Sequence, residues 1–411
     1  MNLLFSCDEY PPAKSGGIGT ATKTVAEELA RRGHQIHVVS GVLPGTNLPA
    51  YTTDNGVNIY RFRYFRGFGW FFRNAETGAE SLPLKFLKKS GILASLAKKE
   101  FYRTHRLIRQ IIAEKQIDIV EFPDYLKLSD YYKFKKKIDF PRYDIPVIAR
   151  VHGCQSFASY YRDGNIHEVN RYNDTSFFNS ATKILAVSRF SADFVNNLLG
   201  ITRKIDVIYN PLDLNGLLHT AESLPKDEGT SKNIVFLGKI VRTKGAFNLL
   251  EAFNRFAAGH PDYTLTMIGG GEIEKGASVV RPEFRNRVVF TGYLSGEEVC
   301  RHVMNATFCA IPSFFENFSM AALEIMALGK ALVYTTAASG REVIEDGVDG
   351  LLADPHNVEE ICEKMEIMAG DETLRTNMAA KAAEKIRHRY TTDTIVSEIE
   401  EYYMQLMRIH A

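Results

Sequence analysis

The sequence predicts an α/β protein of two doubly wound domains that face a central cleft. Three observations carry that reading. Short apolar runs alternate with helical patterns through both halves of the chain. The runs are almost continuously apolar, as strands buried on both faces of a parallel sheet must be. One polar, turn-rich stretch, "PLDLNGLLHTAESLPKDEGTSKN", separates the two sets. The 411 residues suffice for two such domains, and 45% are hydrophobic, enough for two large cores.

In the first half the runs "NLLF", "IHVVS", "IDIVEF", "PVIARVH", "KILAVS" and "DVIYN" read as buried strands. In the second, "NIVFLG", "LTMIG", "VVFTG", "FCAIPS", "ALVYT" and "GLLAD" do the same. The boundary falls near residue 210, giving Rossmann-like domains over 1–209 and 210–388. Residues 389–411, with "TTDTIVSEIEEYYMQLMRIH", form a capped terminal helix. Ligands of such folds sit at the carboxyl ends of the strands, so the chemistry is sought there.

Net charge is +1, so nothing global points to nucleic acid. Cys7, Cys154, Cys300, Cys309 and Cys362 are scattered without metal spacing, as expected for buried thiols in a reducing compartment. "MNLLFSCDEY" lacks the basic start of a signal peptide, and no run reaches the ~18 apolar residues of a membrane span. The expectation is a cytoplasmic protein, with peripheral membrane contact left open. Charge is uneven, however. Residues 61–110 hold twelve Lys/Arg against three Glu, a local +9. From Ile92 the apolar residues recur near helical spacing, with Lys98, Lys99, Arg103, Arg106 and Arg109 mainly elsewhere. Three readings stand: an interfacial helix on an anionic membrane, an electropositive groove for an anionic acceptor, or a domain helix with a solvated basic face.

Six motifs lie at strand ends. After the first strand, "SGGIGTATKT" places Gly16, Gly17 and Gly19 at a helix N-terminus, where backbone N–H groups favour anions. The next strand ends in Ser40 rather than an acid, which argues against NAD. "VHG" puts His152 at a strand end, with Arg150, Glu121 and Asp124 at neighbouring ends. "FLGKIVRTKG" sets Lys239 and Lys244 in a loop opening a helix, a phosphate clamp or a solvated basic loop. "MIGGGE" and "FTGYLS" offer Gly270 and Tyr293 for close approach to a ligand or for tight turns. Finally, "ENFSMAALE" separates Glu316 from Glu324 by eight residues. Ser319 stands as N-cap and Gly329 as C-cap of the helix between. Two acids about 12 Å apart along a helix cannot share one proton. They can bracket one extended ligand.

This order of motifs, closed by "GREVIEDGVDGLL", resembles the retaining glycosyltransferases of the two-Rossmann-domain (GT-B) type, family four. The similarity runs over almost the whole chain and is strongest from 232 to 355. The resemblance implies an acceptor-side first domain, a nucleotide-sugar-binding second domain and a terminal helix returning to brace the first. It implies that Lys244 and Lys239 hold the diphosphate of a UDP- or GDP-sugar. Lys239 stands where members usually have Arg, which makes a point charge of a bidentate clamp. Glu316 would face the donor sugar, with the backbone of Asn317, Phe318, Ser319 and Met320 near its hydroxyls. Members often have Gly at the place of Ser319. Glu324 would bond the ribose, His152 would lie at the reacting centre, and Gly17 would approach the diphosphate or the acceptor. The acceptor class is a glycan, a lipid-linked or a small molecule. No D-x-D motif occurs, so metal-independent transfer is expected, with no cofactor beyond the donor substrate. A sugar-nucleotide-binding protein or an epimerase on the same fold is the alternative.

Overall fold

The computed structural model describes residues 1–12, 16–42, 47–63, 92–124, 136–224 and 232–410. The chain forms two compact units. Unit 1 comprises Met1–Val187, Ser191–Tyr209 and Ile395–Ala411; unit 2 comprises Ser188–Phe190 and Asn210–Thr394.

Unit 1 is built on β1 (Asn2–Ser6), β2 (Gln35–Val42), β3 (Tyr51–Asp54), β4 (Val57–Arg63), β5 (Ile119–Pro123), β6 (Val147–Val151), β7 (Lys183–Ala186) and β8 (Ile205–Val207). Their order is β3-β4-β2-β1-β5-β6-β7-β8. Neighbours pair in parallel except β3 with β4. The interior strands are apolar because both faces are covered: all of Val147–Val151 is buried. The helix Gly17–Arg31 lays Ala21, Val25, Ala26 and Leu29 on the sheet, a helical spacing that gives one apolar stripe.

β3 and β4 add two strands to the six read from the sequence. They form a hairpin whose two-residue turn is Asn55-Gly56, with Asp54 paired to Val57. Both turn residues have positive φ, 46° and 79°. That is the twist a two-residue hairpin needs, and Asn-Gly supplies it at least cost.

Unit 2 carries an all-parallel six-stranded sheet in the order β11-β10-β9-β12-β13-β14. Its strands are β9 (Lys232–Leu237), β10 (Tyr263–Ile268), β11 (Val288–Gly292), β12 (Phe308–Ala310), β13 (Leu332–Thr335) and β14 (Leu351–Ala353). In each sheet the strand order reverses once, between β1 and β5 and between β9 and β12. Loops diverge at such a switch point and leave a crevice at the carboxyl ends. The Gly16–Gly19 loop and Asp124 therefore flank the switch of unit 1. The Lys239–Lys244 loop and Glu316 flank that of unit 2.

The helix Thr392–His410 enters unit 1 from Ile395 onward. Ile395, Val396, Ile399, Tyr403 and Leu406 are buried in the same core as Leu3, Phe5 and Leu29. Its polar side is tied as well. Glu400 pairs with Arg32 at 2.9 Å and His34 at 2.7 Å. Tyr403 donates to Glu121 at 2.6 Å, and Tyr402 to Asp206 at 2.9 Å.

The helix Ile92–Lys115 buries Phe101, Ile108 and Ile111 in unit 1. Lys98, Lys99, Arg103, Arg106 and Arg109 are exposed. Those apolar side chains are thus used inward, so this part of the helix is a domain helix with a basic face and offers a partner charge rather than an apolar stripe. The rest of the basic segment, residues 64–91, lies outside the described residues. Among the described residues no helix is long and apolar enough to cross a membrane.

Candidate active site

In unit 2 the loops after β9 and β12 are pressed together. A Cβ on Gly245 would lie 1.8 Å from the Pro312 carbonyl oxygen, and Gly245 has φ +68°. Only glycine satisfies both demands. The Thr243 carbonyl accepts the N–H groups of Phe314 and Phe315 at 3.1 and 3.3 Å. This stitching brings Lys244 to Glu316: Nζ donates to Oε1 at 2.6 Å. Ser313 Oγ donates to the same oxygen at 3.2 Å. The Glu316 carbonyl is held in turn by Ser339, through N–H at 3.3 Å and Oγ at 3.0 Å. Carboxylate and backbone of Glu316 are both fixed, while the pair keeps partial exposure, 30% for Lys244 and 12% for Glu316.

The helix Met320–Ala327 follows, capped by Ser319, whose Oγ accepts the Ala322 N–H at 3.3 Å. The serine hydroxyl thus has a local partner, and the side chain is buried. The Phe318 ring packs on Tyr390, centroids 5.5 Å apart. Phe318 is therefore turned inward, and its backbone is what it can offer a ligand. Glu324 lies in the helix, half-buried. Burial pushes its carboxyl up to about 7, and among the described residues it makes no ion pair. A carboxyl in that state is partly protonated near neutral pH and accepts hydrogen bonds from a polar ligand best once ionised.

Lys239 is exposed in the loop after β9, with no ion pair among the described residues. Beside it the Ile240 N–H donates to the Gly270 carbonyl at 2.8 Å. A Cβ on Gly270 would come within 2.3 Å of the Tyr293 ring. Gly270 is thus a seat for that ring, which is otherwise 73% exposed.

Unit 1 holds the remaining candidates. Gly16 donates its N–H to Glu9 Oε2 at 3.1 Å, and a Cβ on Gly19 would lie 2.1 Å from the Glu9 carbonyl oxygen. Both glycines answer to Glu9. Gly17 faces open space, so of the three it is the one with room for a ligand. His152 follows β6. Its N–H donates to Asp124 Oδ1 at 2.9 Å. Burial, with Arg150 nearby, holds the imidazole down to about 3, so it is neutral at physiological pH. Sequence reasoning did not single out Gly245, Ser313 and Ser339. The adjacent Lys-Gly of "RTKG" was the available signal for Gly245; the two serines gave none, since they act only once the loops meet.

Two family profiles match in tandem. Residues 15–215 match Glycosyltransferase Family 4, and residues 222–385 match Glycosyl transferases group 1. The chain belongs to the family-four glycosyltransferases. An uncharacterized glycosyltransferase of Methanocaldococcus jannaschii, MJ1607, is 25% identical to it over 100% of this chain and 99% of its own. Sucrose-phosphate synthase of Thermosynechococcus elongatus superimposes with TM-score 0.75 at 16% identity, over 100% of both chains. Anabaena Alr3699/HepE, solved with UDP-glucose, does so with TM-score 0.68 at 17% identity, over 98% of this chain and 100% of its own. The glycosyltransferase has the GT-B fold of these neighbours.

Proposed function

We propose that this glycosyltransferase moves a hexosyl group from a nucleotide-sugar, UDP- or GDP-linked, to a glycan, lipid-linked or small-molecule acceptor. Transfer retains the anomeric configuration and needs no metal. The observation that carries the reading is the Lys244–Glu316 pair at the switch point of unit 2, with Glu324 eight residues further on, in the helix Met320–Ala327. Breaking a sugar–phosphate bond puts positive charge on the sugar and negative charge on the departing diphosphate. Lys244, Lys239 and the N–H groups of Asn317 to Met320 meet the negative charge. Glu316 faces the donor sugar, Glu324 takes the ribose hydroxyls, and Gly270 and Tyr293 border the base. His152, neutral, is assigned to the reacting centre, and Gly17 to the approach of diphosphate or acceptor. Retention fits attack on the face the leaving group departs from, with its phosphate accepting the acceptor's proton. HepE's complex with UDP-glucose supports a uridine donor. The exposed basic face of the helix Ile92–Lys115 supports an acceptor with negative charge.

The test is release of nucleoside diphosphate from a panel of UDP-, GDP- and ADP-sugars. Turnover with one base preferred is expected. Binding without release from any donor overturns the transferase reading in favour of a binding protein. Conversion of the sugar without release favours an epimerase.

A further inference from the structure

We propose that Asp124 is the positioning residue of this active site: its carboxylate holds the His152–Gly153 turn and so aims the imidazole. The proposal rests on the assignment of His152 to the reacting centre. Asp124 directly follows β5, which pairs with β6, at the switch point of unit 1. It is buried, and both its oxygens are engaged by backbone. Oδ1 accepts the His152 N–H at 2.9 Å; Oδ1 and Oδ2 accept the Gly153 N–H at 3.2 and 3.0 Å. Gly153 has φ +137°, a conformation open mainly to glycine. One carboxylate therefore sets two successive peptide planes, and the histidine side chain leaves the first of them.

A second buried carboxylate holds the next part of the same strap. Asp174, in the helix Glu168–Ser180, accepts the Ser156 N–H at 2.7 Å, at the start of the helix Gln155–Asp163. Among the described residues, the titratable and charged groups facing the turn are Arg150 from β6, His152 just after it, Cys154 at the N-cap of the helix Gln155–Asp163, and Asp174. Arg150 spends Nη2 on the carbonyls of Ile208 and Tyr209, at 3.0 and 3.3 Å. Burial pushes the Cys154 thiol up, so it stays neutral. Asp124 has no ion pair among the described residues.

The device is consequently sensitive to pH, and not through the histidine. His152 sits at about 3 and keeps its neutral form across the working range. Burial pushes Asp124 up to about 7, with the Asp174 charge contributing, and burial pushes Asp174 up to about 6. Protonating Asp124 turns one accepting oxygen into a hydroxyl and loosens the turn. The acid limb of the rate profile then belongs to Asp124. Stability runs the other way. The folded-state value lies above the ordinary 3.8, so the ionised carboxylate is less at home in the fold than in the unfolded chain. Its contribution therefore opposes folding increasingly as pH rises from about 4 to 7.

The experiment uses the full chain with UDP-glucose as probe, following UDP release from pH 5 to 9, in wild type and in Asp124→Asn, Asp174→Asn and His152→Ala. We expect wild-type kcat to fall below about pH 7. Asp124→Asn should lower plateau kcat by about a hundredfold, as a misplacement near 1 Å does, flatten the acid limb, and leave KM for donor within about twofold. It should melt no lower than wild type at pH 8. Asp174→Asn should move the limb to lower pH by removing a like charge. Wild-type activity or an unchanged acid limb in Asp124→Asn overturns the proposal while His152→Ala is inactive. Normal release in His152→Ala instead overturns the assignment of His152, and the catalytic sense of the proposal with it. A measurement without turnover stands beside these: the Gly153 amide resonance should titrate near pH 7 in wild type, and a flat Gly153 shift across that range also overturns it.

Discussion

The two switch points use charge in opposite ways. At that of unit 2, Lys244 and Glu316 bond each other side chain to side chain and stay partly exposed. At that of unit 1, Asp124 is buried and spends its carboxylate on backbone N–H groups. The first arrangement presents charge to whatever enters. The second fixes the shape of a turn. A charged residue at a strand end therefore has to be read by what its carboxylate or ammonium touches, since the sequence position is the same in both.

The largest effect should come from the exposed pair. Lys244→Ala and Glu316→Gln are each expected to lower turnover by about a hundredfold or more, measured as nucleoside diphosphate release. Stability should change by only about 1 kcal/mol or less, because a partly exposed ion pair contributes little. Near-normal turnover in both variants breaks the contrast between the sites. Next come two glycines. Gly245→Ala should cost about 1–3 kcal/mol for the left-handed backbone alone, more with the Pro312 contact, in urea unfolding. Gly17→Ala meets open space and should leave stability unchanged or slightly raised, while slowing turnover if a ligand approaches there. Tyr403→Phe removes the donor to half-buried Glu121 and should cost about 1–3 kcal/mol, a pure stability effect in unit 1. The smallest concerns Glu324. Burial holds it up to about 7, and its ionised form is the better acceptor. UDP affinity should therefore rise with pH through that value, by up to about tenfold per unit on the acid side. Calorimetry of Glu324→Gln should show the rise flattened.

Much of the fold was legible because buried parallel strands leave continuous apolar runs, and all twelve runs quoted are strands. The hairpin of β3 and β4 carries the strong turn signal "DNG", but β3 is largely exposed and β4 alternates buried with part-exposed residues, so no apolar run announces its strands. Lys244 and Glu316 stood out as charged residues beside helix starts, but their contact did not, because 72 residues separate them. Only the order of β9 next to β12 brings them together. The reasons for the glycines were legible least. Gly16, Gly19 and Gly270 read as ligand contacts or as tight turns, and the structure gives each a protein neighbour, Glu9 or Tyr293. A missing Cβ looks the same in sequence whether a substrate or a carbonyl occupies the space.

Residues Ile395, Val396, Ile399, Tyr403 and Leu406 complete a core that begins with Leu3 and Phe5. On the ribosome, the strands of unit 1 emerge first and their closing helix follows only after all of unit 2. At roughly 5–20 residues per second, that interval is on the order of ten seconds or longer. Through it the surface destined for the helix is open to water and to other chains. The first unit to be made is thus the last to be finished, and the nascent chain is a natural client for chaperones over that interval.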